Sequence, residues 1–273
     1  MKAVFGIDVS GHFEAALEVF QRLEFPVVSL RLIHCIEPLM PDGGYPGTQT
    51  VGPLVEVMAE LERLGNKHLE DVAQNVQPWA PDVVTKLVLG KTAPTLIREA
   101  EAMAADLCCV GSERKGPIGS FFLGSVSRGL VLDSPASVLV GKQPIHHDGK
   151  LRVALATDLS GIAKDALSKF ARFNPKGVGS AVVVHAMDRG TDESSVQSEI
   201  DELAQVVGGT FACDTRTAVE VGRPHEVINN VMKECDLLVM GARGHGFLES
   251  WALGSTAAHQ VVREPWNVLV LRP

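Results

Sequence analysis

One pattern is written twice along this chain, and an internal period of this length constrains the architecture before any local feature does. Phe5-Gly6-Ile7-Asp8-Val9-Ser10-Gly11 returns as Leu155-Ala156-Thr157-Asp158-Leu159-Ser160-Gly161. His34-Cys35 returns as His185-Ala186, Gly90-Lys91-Thr92-Ala93-Pro94 as Gly222-Arg223-Pro224-His225, and Asp106-Leu107 as Asp236-Leu237. Ser134–Val140 is echoed by Glu264–Val270, each with proline in second place. The offset is 150 residues at Asp8 and 130 at Gly111, so the second copy is the shorter, mostly between His185 and Gly222. Each copy is long enough to bury a core of its own. Two domains are expected, 1–142 and 151–273, with Gly141–Lys150 as the linker.

Both copies alternate strand-like and helix-like stretches. In the first, Ala3–Asp8, Val27–Ile36, Val83–Leu89, Leu107–Gly111 and Val138–Val140 read as strands. Helices are expected between them over Phe13–Leu23, Leu54–Val76, Thr95–Ala105 and Val126–Leu132. In the second, the strands are Arg152–Asp158, Ser180–Met187, Phe211–Val219, Leu237–Gly241 and Val268–Leu271. The helices are Ile162–Phe173, Ser194–Val207, Glu226–Glu234 and Ser255–Val262. Nearly continuous apolar strands separated by helices predict an α/β fold, a parallel sheet covered on both faces. Glu37–Gly52, rich in Pro and Gly, is expected as a mobile flap beside the first site.

Charge and composition narrow the function. A net charge of −8 argues against a nucleic-acid surface. Asp8 falls where a signal peptide needs apolar length, and no run reaches the ~18 apolar residues of a membrane span. Five cysteines without metal-like spacing suit small buried hydrophobes in a reducing, cytoplasmic setting.

The strand ends carry the chemistry. In an open parallel sheet, ligands collect beyond the carboxyl ends of strands where the connections diverge. Asp8 and Asp158 end first strands; Gly111 and Gly241 end fourth strands. Val239-Met240-Gly241-Ala242-Arg243-Gly244 is followed, nine residues on, by Gly254-Ser255. Glycines at 241 and 244 allow close backbone approach and positive φ, and a helix opening at Gly254 offers unpaired amides to an anion. Ser255 and Thr256 add hydroxyl donors. The alternative is that these are turn and cap glycines with no ligand. Asp158 likewise has two readings, a ligand contact or a cap for the next turn. His34 and His185 are read as structural histidines beside the crevice. His245, in the loop, is read either as a phosphate donor or as a solvated histidine, and Phe247, Trp251, Phe121 and Phe122 are read as contact-surface bulk. His146-His147 is read as solvated linker rather than metal site. Gly90-Lys91-Thr92 is not a P-loop, because Thr85 stands where the earlier glycine belongs.

Gly-x2-Gly-x9-Gly-Ser after Asp-Leu-Leu-Val-Met, with Thr157-Asp158 ending the first strand, resembles the universal stress protein family over both halves. The resemblance implies two tandem doubly wound, Rossmann-like five-stranded sheets of order 3-2-1-4-5, and ATP binding in some members. Carried over, Ala156, Thr157 and Asp158 would lie along the adenosine and Ala186 near the base. Met240, Gly241, Arg243 and Gly244 would start the phosphate loop, and Gly254, Ser255, Thr256 and Ala257 would close it. Asp158 would bond a ribose hydroxyl or help hold magnesium. The first half departs at Arg114, where the second glycine belongs, and loss of binding there is favoured over a guanidinium–phosphate contact. The function expected is a cytoplasmic, nucleotide-dependent stress regulator with ATP, with or without magnesium, in the second half. Its partners would be an adenine nucleotide and an unidentified protein, with no nucleic acid and no membrane. A slow ATP hydrolase or adenylyl-transfer enzyme and a nucleotide-free interaction module are the alternatives. The halves are expected to pair through Val138–Val140 and Val268–Leu271 as a pseudo-dimer, with a homodimer as a further option.

Overall fold

A computed structural model describes residues 1–37, 51–112, 124–243 and 253–272. The first half runs β1 (Lys2–Gly6), α1 (Glu14–Arg22), β2 (Ser29–Ile36), α2 (Val51–Val76), β3 (Asp82–Leu89), α3 (Thr92–Met103), β4 (Leu107–Gly111), α4 (Ser125–Asp133) and β5 (Ser137–Gly141). The second runs β6 (Leu151–Ala156), α5 (Gly161–Phe173), β7 (Val178–Met187), α6 (Glu193–Phe211), β8 (Asp214–Val221), α7 (Pro224–Met232), β9 (Leu237–Gly241), α8 (Ser255–Arg263) and β10 (Asn267–Leu271). Every expected strand and helix is present, with shifted ends. The helix expected from Leu54 begins at Val51, because a proline in the first turn needs no intrahelical donor and Pro53 is tolerated there. The strand expected from Phe211 begins at Asp214; Phe211 stays in α6, its ring 5.4 Å from that of Phe170. Most of the flap expected over Glu37–Gly52 lies outside the described residues. The second half is shorter because α6 has 19 residues where α2 has 26, and because its connection from β7 is brief.

The strand order is β3-β2-β1-β4-β5-β10-β9-β6-β7-β8, one ten-stranded sheet rather than two separate ones. Each half keeps the order 3-2-1-4-5, parallel throughout. The halves meet where β5 and β10 pair antiparallel, Val138 opposite Val270 and Val140 opposite Val268. Helices α1, α2, α5 and α6 cover one face and α3, α4, α7 and α8 the other. Covered on both sides, β4, β5, β9 and β10 are buried almost throughout, which is why their sequences are apolar without alternation.

The seam is tied by side chains in a two-fold pattern. Lys142, just past β5, donates its Nζ to the Gln260 and Glu264 carbonyls at the end of α8, at 3.0 and 2.7 Å. Arg272, just past β10, donates Nη2 to the Val131 and Leu132 carbonyls at the end of α4, at 2.7 and 2.8 Å. Asn267 Oδ1 accepts the Lys142 amide, and Ser137 Oγ accepts the Arg272 amide. Each half thus ends in a basic side chain whose N–H groups satisfy the last-turn carbonyls of the other half's final helix. The repeated aspartates do related work at the other end of the strands. Asp106 accepts the Lys2 amide, and Asp236 accepts the Arg152 amide, each at 2.8 Å.

Burial pushes the Lys142 ammonium down to about 7 from 10.5, against a smaller upward pull from Glu264. The neutral amine keeps two N–H groups for the same two carbonyls. Unfolding therefore takes up a proton at this site between those pH values, and the stability routed through it rises with pH across that window. Denaturant melts of wild type against Lys142→Met should diverge between pH 7 and 10, the wild type gaining relative to the variant; parallel pH profiles would contradict this.

Candidate functional site

Strands β6 and β9 lie side by side, Ala156 opposite Met240, but their following helices leave to opposite faces of the sheet. Such divergence opens a crevice beyond the strand ends. Here it is a cleft of 580 Å³. Eleven of the twelve residues expected at the site line it: Ala156, Thr157, Asp158, Ala186, Met240, Gly241, Arg243, Gly254, Ser255, Thr256 and Ala257. The twelfth, Gly244, lies outside the described residues, as do Arg114, Phe121, Phe122, His245, Phe247 and Trp251. The lining also includes Ala163, Val184, Asp188, Thr191, Pro224 and Ile228, which sequence reasoning did not assign. Repeat alignment could have found one of them, since Pro224 stands at a landmark shared with the first half.

The two ends of the cleft differ. At the β9 end, α8 begins after Gly254, whose backbone is extended at φ −63°, and among the described residues no side chain caps it. The first amides of α8 therefore face the cleft without intrahelical partners. Arg243 adds a buried Nε with no hydrogen-bond partner among the described residues. An unpartnered guanidinium nitrogen beside an uncapped helix start fits an oxyanion-bearing group. Neither Gly241 nor Gly254 has positive φ, which corrects the expectation for Gly241. Its requirement is steric, because a Cβ there would stand 3.1 Å from the Arg243 carbonyl oxygen.

The β6 end is held by local bonds. Asp158 Oδ1 accepts from the Ser160 amide at 3.1 Å and the Ser160 hydroxyl at 2.6 Å. Ser160 Oγ in turn accepts the Ala163 amide as the N-cap of α5. The capping reading of Asp158 is thus present in the structure. Thr157 Oγ1 accepts the Leu159 amide, and Leu159 sits at φ 61°, a conformation costly for a branched side chain. His185 is structural, its Nδ1 3.0 Å from the Thr157 carbonyl; His34 repeats this with Ile7 at 2.7 Å. The linker pair is not wholly solvated as expected: His146 is exposed, but His147 Nε2 lies 3.0 Å from Asp236. Among the described residues no cluster of His, Cys, Asp or Glu could hold a metal ion, and no helix is long and apolar enough to cross a membrane. All five cysteines are free, and burial pushes the Cys108 thiol up to about 12.

The sequence pattern described as the Universal stress protein family matches residues 1–142 and 151–272. The chain belongs to the universal stress protein family. A universal stress protein of Mycolicibacterium smegmatis is 25% identical over 289 residues, covering 98% of this chain and 96% of its own. The crystal structure of a universal stress protein from Archaeoglobus fulgidus superposes with a TM-score of 0.71 at 22% identity, covering 99% of this chain and 98% of that one. A universal stress protein family protein from Arabidopsis thaliana, solved with AMP bound, matches 52% of this chain and 92% of its own at 17% identity and a TM-score of 0.37.

Within this family member the two halves differ at the same point. Asp8, the counterpart of Asp158, is consumed by the turn before α1. It accepts the Ser10, His12 and Phe13 amides and pairs with His12 Nδ1 at 2.9 Å. The chain at His12 presses onto the end of β4, so that a Cβ on Gly111 would fall 1.8 Å from the His12 carbonyl oxygen. At Gly241 the nearest atom of the corresponding helix backbone, Ala163 Cα, is 3.9 Å away. The first crevice is thus narrowed by backbone where the second is open. Gly111→Ala should cost about 3 kcal/mol by forcing that backbone apart, whereas Gly254→Ala, which meets only ordinary contacts, should cost about 1 kcal/mol. Paired urea melts check this, and equal losses would contradict the difference.

Proposed function

We propose that the second half binds an adenine nucleotide, ATP, in the 580 Å³ cleft, and that the protein acts in the cytoplasm as a nucleotide-dependent regulator. The observation that carries this reading is the pairing of an α8 N-terminus opened by glycine with a buried Arg243 Nε that has no partner among the described residues. Ser255 and Thr256 would hold phosphate oxygens, with Arg243 beside them. Ala156, Ala186, Met240 and Ile228 give the base an apolar bed. Asp158 would meet the ribose or a magnesium ion that accompanies the phosphates.

A regulator is favoured over an efficient hydrolase. Among the described residues lining the cleft there is no lysine, and His185 already spends Nδ1 on the Thr157 carbonyl. Phosphoryl transfer needs a positioned base or water-orienting group and charge clamps on the transferred phosphate. Occupancy would instead change the surface around α8 that a protein partner reads.

Calorimetric titration with ATP should give close to one nucleotide per chain, since the first crevice is narrowed at Gly111. Gly244→Arg, which copies Arg114 of the first half, should abolish binding. Two equivalent sites, or undiminished binding by Gly244→Arg, would contradict the reading. Asp158→Ala should weaken binding and reduce its dependence on magnesium; unchanged affinity with and without the ion would remove Asp158 from the site.

A further inference from the structure

The repeat supplies an internal control for a second carboxylate at the cleft. Strands β2 and β7 end in register with their neighbours, Ile36 opposite Leu89 and Met187 opposite Val221. In both halves the next glycine amide bonds back, Gly90 to the Ile36 carbonyl and Gly222 to the Met187 carbonyl. Glu37 and Asp188 therefore occupy equivalent places, one residue past the second strand of each half. Thr92 and Pro224 are equivalent too, each opening the helix that follows.

Their partners differ for a covalent reason. Glu37 Oε1 accepts from the Thr92 amide at 3.1 Å and the Thr92 hydroxyl at 3.2 Å, so its carboxylate is engaged by the start of α3. Pro224 has neither an amide hydrogen nor a hydroxyl. Among the described residues no donor bonds the Asp188 carboxylate. Asp188 is exposed, its carbonyl accepts the Thr191 amide, and it lines the cleft.

Its place in the cleft limits what it can meet. Strand β7 stands one strand farther than β6 from the β9 and α8 end. Asp188 is therefore beyond Asp158, away from Arg243 and the α8 amides. A carboxylate accepts hydrogen bonds and repels phosphate. The cleft has a donor-rich end and an acceptor end, with the apolar bed between them. A ligand that satisfies both carries oxyanions at one terminus and an N–H donor at the other.

Resting on the nucleotide reading above, we infer that Asp188 is the base-selecting residue of this site, accepting a hydrogen bond from the exocyclic amino group of the base. The same contact fixes the direction in which a nucleotide lies across the strand ends. Pro224 is the residue that releases the carboxylate for this use.

The test compares AMP with purine riboside 5′-monophosphate, which differs only in lacking the amino group, by calorimetric titration of the full chain. Wild type should bind AMP about tenfold more tightly, the scale of one hydrogen bond to a charged group. In Asp188→Ala, shown by circular dichroism and melting to stay folded, the two affinities should converge to within about twofold. Loss of the negative charge should leave both nucleotides bound, so the ratio is the readout. Equal affinities in wild type, or a tenfold preference surviving in Asp188→Ala, would overturn the assignment while leaving nucleotide binding intact. Failure of wild type to bind either compound, or ATP in a parallel titration, would overturn both readings.

Discussion

Two parallel strands held edge to edge, whose connections must leave in opposite directions, underlie everything this molecule can do. Pairing of β6 with β9 brings Ala156 level with Met240, and the divergence of α5 and α8 leaves the space beyond them open. No side chain creates that space; topology does. Backbone and side chains then give it polarity, with the α8 amides and Arg243 at one end and carboxylates at the other.

The same topology is present in the first half, yet its crevice is narrowed by the chain itself. The difference rests on local partners rather than on the conserved-looking aspartate. Asp8 is surrounded by donors from its own turn, His12 among them, and the chain at His12 lies against Gly111, whereas the start of α5 stands off from Gly241. The first half nevertheless serves the second. It supplies β5 to pair with β10, and its α4 carbonyls hold Arg272, which lies close enough to Arg243 for their charges to interact. Separating the halves would leave a sheet edge and the last-turn carbonyls of two helices without partners, a cost that keeps the tandem arrangement together.

Much of this was legible in the sequence because it was written twice. Repetition fixed the strand and helix order, and apolar runs such as Leu237–Gly241 announced strands buried on both faces. The pairing of the two C-terminal strands was also expected, though their fusion into one ten-stranded sheet was not. Other features were hidden because they depend on approach distances that residue types do not encode. Gly111 and Gly241 look alike in sequence, but one lies against the His12 carbonyl and the other does not. Lys142 and Arg272 sit in ordinary-looking strand exits, and only the fold brings them to the opposite half's helix ends. Asp188 carried no motif; its interest appears only when its neighbour Pro224 is set against Thr92.

The central claim is that the amides opening α8 form the anion-binding element and that those opening α4 do not. Backbone amide resonances of Ser255 and Thr256, followed by NMR as ATP is added, test it most directly. The account predicts large saturable shifts at both, with Ser125 and Val126 unmoved. Shifts at Ser125 and Val126 of the same size, or no shift at Ser255 and Thr256 at millimolar ATP, would contradict it.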